Sequence, residues 1–361
     1  MRVSQYYQLD ETQPSLDFVD VDILGDTRVF VDPGALRLLP SAWGDHCVYL
    51  IQDFFRRVLT DIRNGNDTRA RDLLLQLREP NETHLGLSRE EARGRALGPT
   101  SVRKVSEALR DSEAVKSGLL EDLEDSILMV PGVAEDVVSD ITTNLIRGPL
   151  IDYTQAMATI HGIPIQQGVE SGPIWDAVAG TWISEFTQLP ITSTGKLLLV
   201  PKVIVRQHMD YKVDEYYRYY LIPHLQDVEL TANSELVQLL KNGRRRVTKK
   251  DVEAKYGSGK GTIVRETRNH PEVLDRYRQS KRRKPQPPMT HEDIATETAT
   301  DGPDWADLLG DLTDCSPGTQ DASRYHRAVF ALLKALFYPA LSHPRLEHEI
   351  HEGRKRLSHL R

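Results

Sequence analysis

The sequence predicts an α+β protein with a mostly helical body, on three observations. Residues 16–31 alternate apolar and acidic side chains around a Gly25-Asp26 turn signal, the period-2 pattern of a β-hairpin with one solvated face. From about Trp43 to Thr159 the apolar residues recur near every fourth position instead, which is the helical period. A second helical stripe returns at Val329, Leu332, Leu333, Leu336 and Phe337, after a stretch rich in Pro and acids. The 361 residues suffice for two or three domains with a sizeable core. Five segments follow: an N-terminal β-hairpin region (1–40), a helical domain (41–190), a mixed segment with a basic block (191–284), an acidic, Pro-rich linker (285–321) and a C-terminal unit (322–361).

In the hairpin region Leu16, Phe18, Val19, Val21 and Ile23 alternate with Asp17, Asp20 and Asp22, and TRVFVDP follows the turn. The acids read as the wet face of the strand rather than as metal ligands. In the helical domain Leu50, Ile51, Phe54, Phe55, Val58 and Ile62 form one stripe. Glycines at 86, 94 and 98 then interrupt the helices, and Glu79, Glu82 and His84 beside them read as surface loop charges. Downstream, Asp136, Asp140, Thr143, Asn144 and Arg147 fall on one helical stripe opposite Val138, Ile141 and Leu145. The main expectation for that stripe is a solvated face. The sharper one is a polar lining for a ligand or protein partner, because Thr, Asn and an Asp pair are not the usual Glu/Lys filler of an exposed helix.

Charge is distributed unevenly. The net charge is −7, yet Lys241–Lys284 holds 16 Lys and Arg against 5 Asp and Glu. Glu292–Asp321 then carries nine acids and no Lys or Arg. A basic block of this kind is an electrostatic footprint for a polyanion. The candidate nucleic-acid-binding residues are Arg244, Arg245, Arg246, Lys249, Lys250, Lys260, Arg265, Lys281, Arg282, Arg283 and Lys284. A P-loop is excluded, since Ala254 and Gly261 stand where glycine and a hydroxyl belong. A helix-turn-helix is compatible: Thr248 caps a first helix with Asp251 at N3, Val252 and Tyr256 pack inward, and Gly257 makes the turn. Ile263 then anchors a second helix presenting Lys260, Thr262 and Arg265. Glycines 259 and 261 weaken such a helix, so a small module that contacts phosphates without sequence preference is the preferred reading. Just upstream, Tyr211, Tyr216, Tyr217, Tyr219 and Tyr220 lie among Arg206, Lys212 and Arg218. Packing is the main expectation for these rings and base stacking the lesser one.

The tail LFYPALSHPRLEHEIHEGRKR resembles the entry to PD-(D/E)XK, or restriction-endonuclease-like, domains of uncharacterised bacterial proteins. In those proteins a similar stretch continues G-R-K-R-I-D-I and an E-x-K strand follows. The resemblance implies an α/β nuclease unit in which Asp and Glu hold Mg²⁺ and Lys assists the attacking water. Here Ser358 stands at the expected Asp position and only Glu347 and Glu349 remain beside it, so the expectation is a truncated nuclease-like unit with no complete catalytic set. Mg²⁺ is expected only of a full-length member, and no cofactor or metal of this chain.

The expected function is therefore a nucleic-acid-associated protein of restriction or phage-defence type that binds without cleaving. The alternative is a non-enzymatic regulatory or protein-interaction module built on the acidic helical domain, with a protein partner or a second copy of the chain. The opening residues lack a signal-type apolar run and Cys47 and Cys315 are far apart, so a cytoplasmic protein with no membrane partner is expected.

Overall fold

The structure is a computed structural model that describes residues 1–9, 11–86, 107–109 and 111–340, together with the backbone of strands 345–350 and 355–359. Glycines 94 and 98 of the expected loop, and the side chains of Glu347, Glu349 and Ser358, lie outside the described residues. The chain is α+β and mostly helical, with small antiparallel strand pairs. Helices of eight residues or more are numbered here.

Residues 16–31 do not fold back on themselves as a hairpin. Strand β1 (Phe30–Val31) pairs antiparallel with β8 (Val205–Arg206), and single bridges join Arg2 to Asp22, Phe18 to Pro201 and Thr27 to Leu85. The alternating apolar residues are buried as expected, but Asp20 is buried with them. It is held there by the Ser4 backbone N–H at 2.8 Å and the Ser4 hydroxyl at 2.6 Å, which satisfy a carboxylate that burial would otherwise penalise.

Helix α1 (Ala42–Arg63) starts at Ser41, whose hydroxyl accepts from Gly44 N–H. Its stripe of Leu50, Ile51, Phe54, Phe55, Val58 and Ile62 enters the core. After α2 (Asp67–Leu74), α3 (Glu135–Leu145) leads directly into α4 (Arg147–His161), which Gly162 ends in the left-handed region at φ 67°. Three ribbons follow: β2 (Gln166–Glu170) pairs with β5 (Phe186–Leu189), β3 (Ile174–Asp176) with β4 (Thr181–Ile183), and β6 (Ile191–Thr192) with β7 (Gly195–Lys196). Trp175 and Trp182 sit opposite each other on β3–β4, edge-on to Phe54 at 5.0 and 5.4 Å between ring centres. Their indoles donate to the Asp53 carboxylate and to Leu73 O, which pins the ribbon on α1 and α2.

The basic segment is built from α5 (Ile222–Thr231), a β9–β10 ribbon (Gln238–Leu239 and Arg245–Arg246), α6 (Lys249–Tyr256), α7 (Lys260–Asn269) and α8 (Pro271–Arg283). At its centre Tyr277 of α8 packs edge-on to Tyr211 and Tyr220 and tilted to Tyr216. Val252, Ile263, Val273, Leu274 and Tyr277 join the same continuous core as Val3, Phe54 and Leu150. Residues of the first three segments thus share one hydrophobic core. The expected linker also contributes to it: 285–321 contains α9 (His291–Thr298) and α10 (Trp305–Thr313), and Met289 and Ile294 are buried in that core.

Helix α11 (Ala322–Phe337) precedes an antiparallel pair, β11 (Arg345–Ile350) and β12 (Lys355–His359), in which Glu349 lies opposite Arg356. The helix docks on the N-terminal loops. Lys334, almost wholly buried, reaches Glu11 at 3.3 Å and Asp17 at 3.4 Å, and Ala335 O meets His291 Nε2 at 2.9 Å. Among the described residues no helix is long and apolar enough to cross a membrane.

Candidate functional site

Two clusters hold the candidate residues, and the first is the polar stripe of α3. A solvated face is not what forms. Asp136 is exposed and Asp140 half-buried, but Thr143, Asn144 and Arg147 are buried. The reason is the loop 78–84, which folds against the stripe. Asn144 donates to Arg78 O at 2.5 Å and to Asp140 O at 2.7 Å. Arg147 pairs with Glu82 and donates to Ser171 O at 3.3 Å. Gly172 lets that guanidinium and the Lys196 amine approach together: a Cβ there would lie 3.3 Å from Arg147 Nη1 and 3.4 Å from Lys196 Nζ. Burial and the neighbouring Arg147 push the Lys196 amine down to about 8. Lys196 was invisible to motif reasoning, because GKLLLV carries no chemical signature.

The loop charges are likewise not surface charges. His84 is buried with Nδ1 lacking a hydrogen-bond partner, and burial holds its imidazole below the ordinary range. Glu79 is half-buried, its carboxyl raised by burial and by Asp26. The Asp140 carboxyl is raised well above its ordinary range, by burial first and then by Glu79, Asp136 and Asp26. Still, no three of these groups bring ligand atoms within 4.8 Å of one another. They form a largely buried structural network in which Glu82 is paired with Arg147, while among the described residues the Glu79 and Asp140 carboxyls meet no cation.

The second cluster is the basic block, and the structure sorts its cations. Four already have partners, Lys260 and Lys281 half-buried and Arg265 and Arg282 exposed. Lys260 donates to Val130 O and Val133 O at 2.8 and 2.7 Å, and Arg265 to Glu266 and Tyr256 O at 2.6 Å. Lys281 bridges Asp210 and Glu215 at 2.9 and 2.7 Å, and Arg282 meets Asp122 at 3.3 Å. Lys281 and Arg282 also line a cleft of about 260 Å³ with Asp32, Arg37, Glu124 and Asp210, where opposite charges already alternate. Arg245 donates to Asn233, a neutral partner. Among the described residues Arg244, Arg246, Lys250, Arg283 and Lys284 meet no carboxylate and are exposed.

Local geometry follows the helix-turn-helix pattern in its first half. Thr248 caps α6 by accepting from Asp251 N–H, Val252 is fully buried and Gly257 turns the chain at φ 86°. The second half departs from it. Thr262 is buried, Lys260 is anchored to the carbonyls of Val130 and Val133 just past the short helix Asp125–Met129, and Arg268 faces Glu113 at 3.6 Å. Helix α7 is therefore docked and partly neutralised, and does not present Lys260 and Thr262 outward. What remains open is the β9–β10 ribbon with the start of α6. There Lys249 Nζ lies 5.5 Å over the ring of Tyr219, which is 68% exposed. The other clustered tyrosines pack inward, so Tyr219 is the aromatic ring presented beside the free cations.

The chain belongs to the DUF8370 family, a domain of unknown function, whose model matches residues 8–212. No curated protein and no solved structure matches it. The matched stretch holds the α3 network and ends before the ribbon and α6, so the free cations lie outside it.

Proposed function

We propose that the chain binds nucleic acid electrostatically, without sequence preference, through the β9–β10 ribbon and the first turn of α6. The observation that carries this is the set of exposed cations without carboxylate partners, Arg244, Arg246 and Lys250, beside Lys249 stacked on an exposed Tyr219. Unpaired cations release counterions from a phosphate backbone, and an exposed ring offers a stacking surface for an unpaired base. Docked α7 argues for backbone contact and against readout in a groove.

The C-terminal resemblance fits the same partner class, and Ser358 in place of a charged Mg²⁺ ligand favours binding without cleavage. The test is fluorescence anisotropy with a labelled duplex across a salt series. Replacing Arg244, Arg246 and Lys250 by Ala should lower the slope of log K against log salt by about 2.7, at ~0.9 per phosphate contact. A duplex that fails to bind even at low salt, or a triple variant with an unchanged slope, overturns the proposal. Cutting of the duplex in Mg²⁺ would overturn the non-cleaving part alone.

A further inference from the structure

We infer that His224, His270 and Glu272 form a divalent transition-metal site of the zinc class, clamping α5 to the corner between α7 and α8. The three come together by construction of that corner. His224 lies in the first turn of α5, and His270 ends α7 and begins α8, where Pro271 occupies the first helical position. Glu272 follows in the first turn of α8. The two imidazoles meet edge-on with ring centres 4.6 Å apart.

Two of the three separations approach the edge lengths of a metal-binding polyhedron. His224 Nε2 lies 3.3 Å and His270 Nδ1 lies 3.7 Å from the same oxygen, Glu272 Oε1. One ligand atom from each of the three residues lies within 4.8 Å of those of the others. A tetrahedral site with bonds of about 2.0–2.1 Å has edges of roughly 3.3 Å, so two edges are already close to their bound length. A simple hydrogen bond does not account for the contact. His224 Nε2 is buried and has no hydrogen-bond partner, although the carboxylate oxygen is within reach. A buried imidazole nitrogen left in this state is costly, and a cation placed between the three atoms would satisfy it. Two imidazoles and one carboxylate suit Zn²⁺ and leave a fourth position for water or an external donor.

One neighbour opposes the cation. Arg276 Nη2 lies 3.3 Å from His224 Nδ1. Ligation through Nε2 requires the proton on Nδ1, so the exposed Arg276 must give up that contact. The site is therefore tuned down by Arg276, and Arg276→Gln should bind metal more tightly than the native chain.

The experiment uses the full chain without a histidine tag, freed of metal by chelation and titrated with Zn²⁺ by calorimetry. Co²⁺ serves as a spectroscopic probe, because four-coordinate Co²⁺ gives intense visible bands. One equivalent of Zn²⁺ should bind and raise Tm, whereas Mg²⁺ should do neither. His270→Ala and Glu272→Gln are at partly or fully exposed positions, so both should fold. Each should weaken Zn²⁺ binding by tenfold or more and abolish the Co²⁺ bands. Absence of stoichiometric binding in the native chain, or variants that bind as it does, overturns the inference. The outcome is independent of nucleic-acid binding, which the chelated protein reports separately.

Discussion

Arg278 carries the most demanding test of how the basic segment is held. Its guanidinium, 4% exposed, grips the fully buried Asp125 through Nε at 3.2 Å and Nη2 at 2.7 Å. Nη2 also donates to Leu119 O at 2.7 Å, and Nη1 meets Asp275 and Glu121 at 3.1 and 3.2 Å. Arg278→Met keeps most of the stem volume but leaves Asp125 with only the Glu121 and Asp122 backbone N–H donors, each at 3.0 Å. Removing one partner of a buried, hydrogen-bonded pair costs about 3–5 kcal/mol. Arg282→Met, on the same helix, removes a pair in which the arginine is 63% exposed, and exposed pairs contribute about 0–1 kcal/mol. In a Trp305→Phe background, urea unfolding followed by tryptophan fluorescence reads the family domain through Trp43, Trp175 and Trp182, while circular dichroism reads every helix. With one shared core the two probes should coincide in the native chain, and Arg278→Met should move both midpoints far more than Arg282→Met. A cycle with Asp125→Asn should give a coupling of about 1–3 kcal/mol. If Arg278→Met costs less than 1 kcal/mol, or shifts only the helical signal, the common core is refuted.

Asp140→Asn should stabilise the protein at about pH 8 and have little effect near pH 4, around the ordinary carboxyl range. The folded-state carboxyl is raised by burial, Glu79, Asp136 and Asp26, so its stability contribution is present below the unfolded value and lost as pH rises through the folded one; equal effects at both pH values in urea titrations would contradict this. Lys334→Met should release α11 from Glu11 and Asp17, at a cost of about 1.5–3 kcal/mol for charged hydrogen bonds, and so speed proteolysis around 314–321 by tenfold or more; an unchanged cleavage rate rules out that anchor. Tyr219→Ala should weaken binding of a single-stranded oligonucleotide by about 1–3 kcal/mol while changing duplex affinity less, and equal losses on both would argue against stacking.

The α1 stripe was fully legible, because the periodicity of Leu50 through Ile62 and the face it buries are properties of one short window. The same window logic identified the apolar side of α3 but not the fate of its polar side. That fate depends on Arg78 and Glu82, more than sixty residues earlier, folding over Asn144 and Arg147. The N-terminal strand failed in a related way. Alternation located the buried apolar residues of 16–23 correctly, yet the partner of Phe30–Val31 is Val205–Arg206, and no local signal encodes a pairing at that distance. Asp20 adds a second reason, since its burial depends on Ser4.

The basic block exposes the same limit at the level of function. Composition gives a net charge for Lys241–Lys284 but cannot say which cations are already neutralised. Half-buried Lys260 and Lys281, bound to carbonyls and carboxylates, work as internal struts, and losing them would unseat α7 and α8 before it changed a binding surface. Arg244, Arg246 and Lys250 have no such duty, so the folded state gains little from them and keeps three unscreened charges close in sequence. Like charges gathered without partners cost stability through mutual repulsion. A polyanion removes that cost, and the two populations of cation therefore separate by experiment: replacing the first should lower Tm, and replacing the second should leave Tm unchanged or raise it while reducing the salt dependence of nucleic-acid binding.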